Sequence, residues 1–176
     1  MESDRGFYLR LYCYGINSDA NSRANENIIN RTVCYLDPPF CHCEIQFMNE
    51  ESLAVYANSH VVLRRRTFDD PQYVYIKIPC TRKEYDACYT CANVMVNLPF
   101  SWMALINCKL KLWHGAARGT FCSKLCCDVL NAAKILHTSI NSNFVTPSAL
   151  YTLLKKEMEL KKEKNTLVTP AIDFQI

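Results

Sequence analysis

The chain has 176 residues, 49% hydrophobic, 21% charged and 11% aromatic, a balance that fits one domain with its own core and excludes a wholly disordered, collagen-like or fibrous protein. Lys and Arg total 20 against 17 Asp and Glu, and the net charge of +3 is too small to point to nucleic acid as a partner. Eleven cysteines, an odd number, together with charges where an export signal needs an apolar stretch (MESDRGFYLRLYCYG), give the expectation of reduced thiols in a cytoplasmic protein. No apolar run reaches about 18 to 20 residues, so no membrane-spanning helix is expected.

In chain order, residues 7–14 (FYLRLYCY) read as a strand closed by Gly15, and residues 17–32 as a loop or a short helix around 24–29. Asp37-Pro38-Pro39 excludes helix and leads into residues 41–49, where His42, Glu44 and Gln46 share one face of a strand and Cys43, Ile45 and Phe47 the other. A turn at 49–52, a returning strand through 53–68 that bends and continues, a turn at Asp69-Asp70-Pro71 and a strand over 73–80 complete the β-rich half. From Thr81 the period changes to that of a helix, with Thr81 and Glu84 spaced as a capping box and Leu98-Pro99 as the stop. Thr120 is placed to cap a second helix through residues 121–136, and Pro147 to open a third that runs to about Lys161. Strands before helices predict an α+β domain over residues 1–162, an antiparallel sheet packed against helices, with residues 163–176 as a C-terminal tail.

A reactive cysteine needs its thiolate stabilised, and the first turn of a helix supplies unpaired N–H groups and a favourable dipole. With Thr120 as cap, Cys122 falls at the second helical position, a setting none of the other cysteines matches. A thiol nucleophile also needs an imidazole within hydrogen-bond reach and a third group to orient it. Of the four histidines, His137 lies too far along the Cys122 helix, His114 sits in a loop without a defined partner, and His60 follows the returning strand. His42, on the polar face of a strand, is held as a site residue would be.

The segments PFCHCEIQF (39–47) and GTFCSKLCCDVLNAA (119–133), with VYANS (55–59) and VNLPFSW (96–102) between them, resemble the motifs of the circularly permuted papain-fold group of the NlpC-like superfamily. In that group the His strand precedes the Cys helix. Relatives occur in bacteria, bacteriophages and large DNA viruses and include lipid acyltransferases resembling the lecithin–retinol type. The resemblance covers residues 39–135, about half the chain. It implies a permuted papain-like fold with Cys122 as nucleophile at a helix N-terminus, His42 as general base, no cofactor, and a peptide, amide or lipid-ester substrate. Were the source viral, the host cytoplasm or the virion would be the place of action. Two departures from the pattern stand out: Lys124 replaces a frequent acid in FCSKL, and VYANS lacks the Glu that many relatives carry after the His strand.

Two sources for the third group are open. Glu44 shares the face of His42 two residues on, and belongs to the motif. Alternatively, a symmetrical 49–52 turn pairs residues summing to about 101, setting Ser59 opposite His42, or Asn58 after a one-residue slip. Two other functions compete with thiol-dependent acyl chemistry. One is a catalytically inactive papain-fold interaction or virion protein. The other is a structural zinc site built from Cys41, Cys43, Cys88 and Cys91, although a CxC strand turns both thiols away from His42. Arg64-Arg65-Arg66 reads as solvated charge protecting a strand end.

Overall fold

The computed structural model describes residues 6–15, 28–111, 118–136 and 140–167. The expectations placed on residues 17–27, on His114 and His137, and on the chain beyond 167 lie outside the described residues. Among the described residues there are five strands and five helices: β1 (Phe7–Gly15), α1 (Ile28–Leu36), β2 (Phe40–Gln46), β3 (Glu51–Ala54), β4 (Val62–Arg65), β5 (Tyr73–Cys80), α2 (Arg82–Met95), α3 (Trp102–Leu110), α4 (Cys122–Ala132) and α5 (Pro147–Leu167). The predicted α+β class is therefore observed, with one antiparallel sheet in the order β4-β3-β2-β1-β5. Among the described residues no helix is long and apolar enough to cross a membrane.

The alternation read from the sequence decides which way each strand faces. Leu9, Leu11 and Cys13 of β1 and Cys43 and Ile45 of β2 join Leu125, Cys126, Val129 and Leu130 of α4, Cys88 and Ala92 of α2, and Leu150 and Leu154 of α5 in one buried core. The opposite face of β2 carries His42, Glu44 and Gln46 and is also buried, because the chain after β4 folds back across it. Gln46 Nε2 donates to the Arg66 carbonyl at 2.9 Å, and Phe68 stacks on Tyr12 with ring centroids 3.7 Å apart. The chain after β4 and the helical layer thus enclose β2 on both faces.

Several expectations are corrected. The turn after β2 is centred earlier than 49–52: the Phe47 N–H donates to the Glu51 carbonyl at 2.8 Å, and Glu50 takes a left-handed φ of 67°. The predicted continuous strand over 53–68 is two strands, β3 and β4, paired with each other and separated by a turn in which Asn58 has φ 59°. Helix α1 lies later than the short helix expected around 24–29 and runs up to Asp37; it packs against β2, and Val33 lines the pocket described below. Helix α3 was not anticipated either; Ser101 caps it by accepting from the Ala104 N–H at 3.2 Å. Helix α5 runs to Leu167, past the expected boundary of the tail, since residues 162–167 contain neither Gly nor Pro. The Thr81–Glu84 capping box is present as read, with the Thr81 N–H donating to Glu84 Oε2 at 2.7 Å.

Candidate active site

The segment before α4 is fixed by backbone pairing rather than by a side-chain cap. The Thr120 N–H donates to the Pro99 carbonyl at 3.0 Å, and the Ser101 N–H donates to the Thr120 carbonyl at 2.8 Å. Thr120 is therefore extended, and the N-cap is Phe121, with no side-chain cap hydrogen bond. This corrects the expected capping by Thr120 and moves Cys122 from the second to the first helical position. Phe121 is fully buried against Ala104 and Cys108 of α3, and Ser123 Oγ donates to the Val145 carbonyl at 2.7 Å. These anchors hold the start of α4 against β2, and the Phe121 side chain makes no cap hydrogen bond to the N–H groups of its first turn.

The structure brings Cys122, His42 and Glu44 together. Cys122 and His42 line the same pocket of about 350 Å³, and each displaces the other's ionisation. His42 Nε2 lies 3.1 Å from Glu44 Oε1, so the other ring nitrogen, Nδ1, is the one left for Cys122. Glu44 is fully buried yet well satisfied: Ser52 Oγ donates to Oε2 at 2.9 Å, while the Tyr56 hydroxyl (2.7 Å) and Arg66 Nη1 (2.5 Å) donate to Oε1. Beyond Leu53, β3 no longer pairs with β2, so β2 is open on that side near His42.

The alternative third groups do not reach His42. Pairs Ile45–Leu53 and Gln46–Ser52 sum to 98, not 101, because the turn is centred earlier than the sequence suggested. Ser59 Oγ donates to the His60 carbonyl at 3.3 Å, and Asn58 Oδ1 accepts from Trp102 Nε1 at 2.8 Å. Both belong to a segment paired with residues 98–100, where the Phe100 N–H donates to the Ser59 carbonyl at 2.8 Å. Lys124, the departure within FCSKL, pairs with Asp128 one turn along α4 at 2.6 Å and does not line the pocket.

Three ionisations are displaced in a consistent way. The Cys122 thiol is held well below the ordinary range, first by a hydrogen bond from the Cys43 thiol and then, against the cost of burial, by the His42 imidazolium and the Cys43 backbone N–H. Burial alone would depress His42, but the Cys122 thiolate and the Glu44 carboxylate outweigh it and raise the imidazole to about 10. Burial would raise Glu44, yet its hydrogen bond and charge interaction with His42, the Tyr56 hydroxyl and Arg66 carry it below its usual value. The two directions together favour a proton on His42 over one on the Cys122 sulfur.

Cys43, which the sequence reading gave only a place on the strand face and in the zinc alternative, thus contributes most to holding that thiol low. The four thiols of the zinc alternative are not brought together. Cys43 meets Cys122, Cys41 Sγ donates to the Tyr14 carbonyl at 3.6 Å, Cys88 Sγ to the Val129 carbonyl at 3.6 Å, and Cys91 Sγ lies 3.9 Å from Met95 Sδ. Among the described residues no group of three or more His, Cys, Asp or Glu is placed to hold a metal ion.

Comparison with protein families, with curated proteins and with solved structures finds no match to this chain.

Proposed function

We propose that the protein is a thiol-dependent hydrolase or acyltransferase with a permuted papain-like arrangement, acting on an amide, isopeptide or ester carbonyl of a peptide or lipid. The observation that carries this reading is the buried Glu44 carboxylate 3.1 Å from His42, with the His42 imidazole against Cys122 at the first residue of a helix. The Cys122 thiolate attacks the carbonyl carbon, forming a C–S bond and an oxyanion. The N–H groups at the start of α4 are the available donors for that charge. Imidazolium His42 gives its proton to the leaving nitrogen or oxygen as the bond to carbon breaks, leaving a thioester. Neutral His42 then takes a proton from water or another acceptor as it attacks the thioester, and the Cys122 thiolate is restored. Tyr14, Phe100 and Phe121 give the pocket an aromatic wall suited to an apolar acyl or peptide group.

The test is single turnover with an activated acyl ester such as a p-nitrophenyl ester. A burst of nitrophenolate, stoichiometric with protein, and an acyl group mapped to Cys122 are expected, both absent in Cys122→Ala. A wild-type protein with no burst and no adduct overturns the reading in favour of a catalytically inactive interaction protein.

A further inference from the structure

The Arg64-Arg65-Arg66 run divides in the structure. Arg64 and Arg65 are exposed on the edge strand β4, whereas Arg66 turns back over the sheet. Its Nη1 donates to Glu44 Oε1 and to the Tyr56 hydroxyl, its Nη2 donates to the Tyr73 hydroxyl at 2.8 Å, and the guanidinium lies 5.0 Å from the Phe68 ring centroid. Tyr56 performs two contacts at once. Its hydroxyl donates to Glu44 Oε1 at 2.7 Å, and its ring stacks on the His42 imidazole, with centroids 5.0 Å apart and planes inclined by 23°. Tyr56 lies two residues beyond the end of β3, on the side where β2 is left unpaired near His42.

We propose that Tyr56 and Arg66 are positioning residues for the acyl-transfer site, a clamp that fixes the Glu44 carboxylate against Nε2 and the imidazole plane against the Tyr56 ring, so that Nδ1 is presented to Cys122. The proposal rests on the thiol-dependent reading given above. A carboxylate rotates readily about its terminal torsion. With His42 as its only partner, Oε1 would swing and release the ring; with Tyr56 and Arg66 donating to the same oxygen, it stays directed at Nε2. The guanidinium fork supplies two directed donors where an ammonium would supply a point charge. The ionisable groups facing the Cys122–His42 pair are Glu44 and Cys43 on β2, Cys13 on β1, Cys108 on α3 and Cys126 on α4.

The test measures the rate of Cys122 alkylation by iodoacetamide against pH in the full-length chain, for wild type, Tyr56→Phe and Arg66→Lys, with thermal melting alongside. Both substitutions conserve charge, so a moved acid limb reports loss of positioning rather than loss of a Coulomb partner. Displacement of the limb upward by half a pH unit or more is expected, seen as a fall of about threefold in rate at a pH on that limb. Limbs that coincide with wild type, with only the melting temperature lowered, overturn the clamp and leave it a structural contact. An ordinary thiol limb in the wild type overturns the acyl-transfer reading, and the clamp with it. If Arg66→Lys fails to fold, the near-isosteric Tyr56→Phe decides alone.

Discussion

Glu44 shows what a single buried charge requires. Its two oxygens accept from Ser52, Tyr56, Arg66 and His42, so its charge is met by one half-exposed guanidinium and one imidazolium rather than by water. Because its folded-state pKa is lowered, the carboxylate contributes stability above its unfolded value, and that contribution is lost as pH falls through the folded one. Glu44→Gln keeps the shape but leaves Arg66 and His42 facing a neutral amide. Discounted for the partial exposure of Arg66, the expected loss is about 2 to 3 kcal/mol in urea unfolding at neutral pH, shrinking below the carboxylate range. An unfolding free energy that matches wild type at pH 7 would contradict this. At this scale the sequence was legible where motif and strand alternation act locally: Cys122, His42 and Glu44 were read from them. Cys43, Tyr56 and Arg66 were not, because each reaches the site through a register or a chain reversal that spacing alone does not specify.

The elements around the site explain why some readings held and others moved. The Thr81–Glu84 capping box lies within one helical turn and depends on nothing distant, so its spacing was sufficient. The hairpin after β2 depends on which residue enters the left-handed region; Glu50 does so, and the register moved with it. The N-terminus of α4 depends on residues 99–101, far away in sequence, which hold Thr120 in an extended pairing and leave Phe121 as cap. Gly119 is the residue that permits this approach: its φ is 89°, and an added Cβ would stand 2.5 Å from the Pro99 carbonyl oxygen. Gly119→Ala is therefore expected to cost about 1 to 3 kcal/mol and to slow Cys122 alkylation by displacing the start of α4. Denaturant unfolding and labelling on one preparation check both effects, and an alanine variant unchanged in both would remove Gly119 from the account.

Across the whole molecule, the proposed base and nucleophile come from different layers: His42 from the central strand β2, and Cys122 from the helix that packs on it. The α+β class was legible from strands preceding helices. The number of helices was not, since α1 and α3 owe their places to packing against β2 and Phe121 rather than to strong local signals. Enclosure of β2 on both faces gives the site its low-dielectric surroundings, in which charge interactions among Cys122, His42 and Glu44 are stronger than in water. All eleven cysteines are free thiols, which makes the chain its own control. Cys13, Cys43, Cys88 and Cys127 are pushed upward, chiefly by burial, whereas Cys122 alone among the displaced thiols is pushed down. Residue-resolved labelling with substoichiometric iodoacetamide at pH 6 compares them in one sample. Label is expected to accumulate on Cys122 well ahead of every other cysteine, a lead that His42→Ala abolishes; label spread over the accessible thiols, with Cys122 no faster than the rest, would contradict a Cys122 thiolate activated by His42.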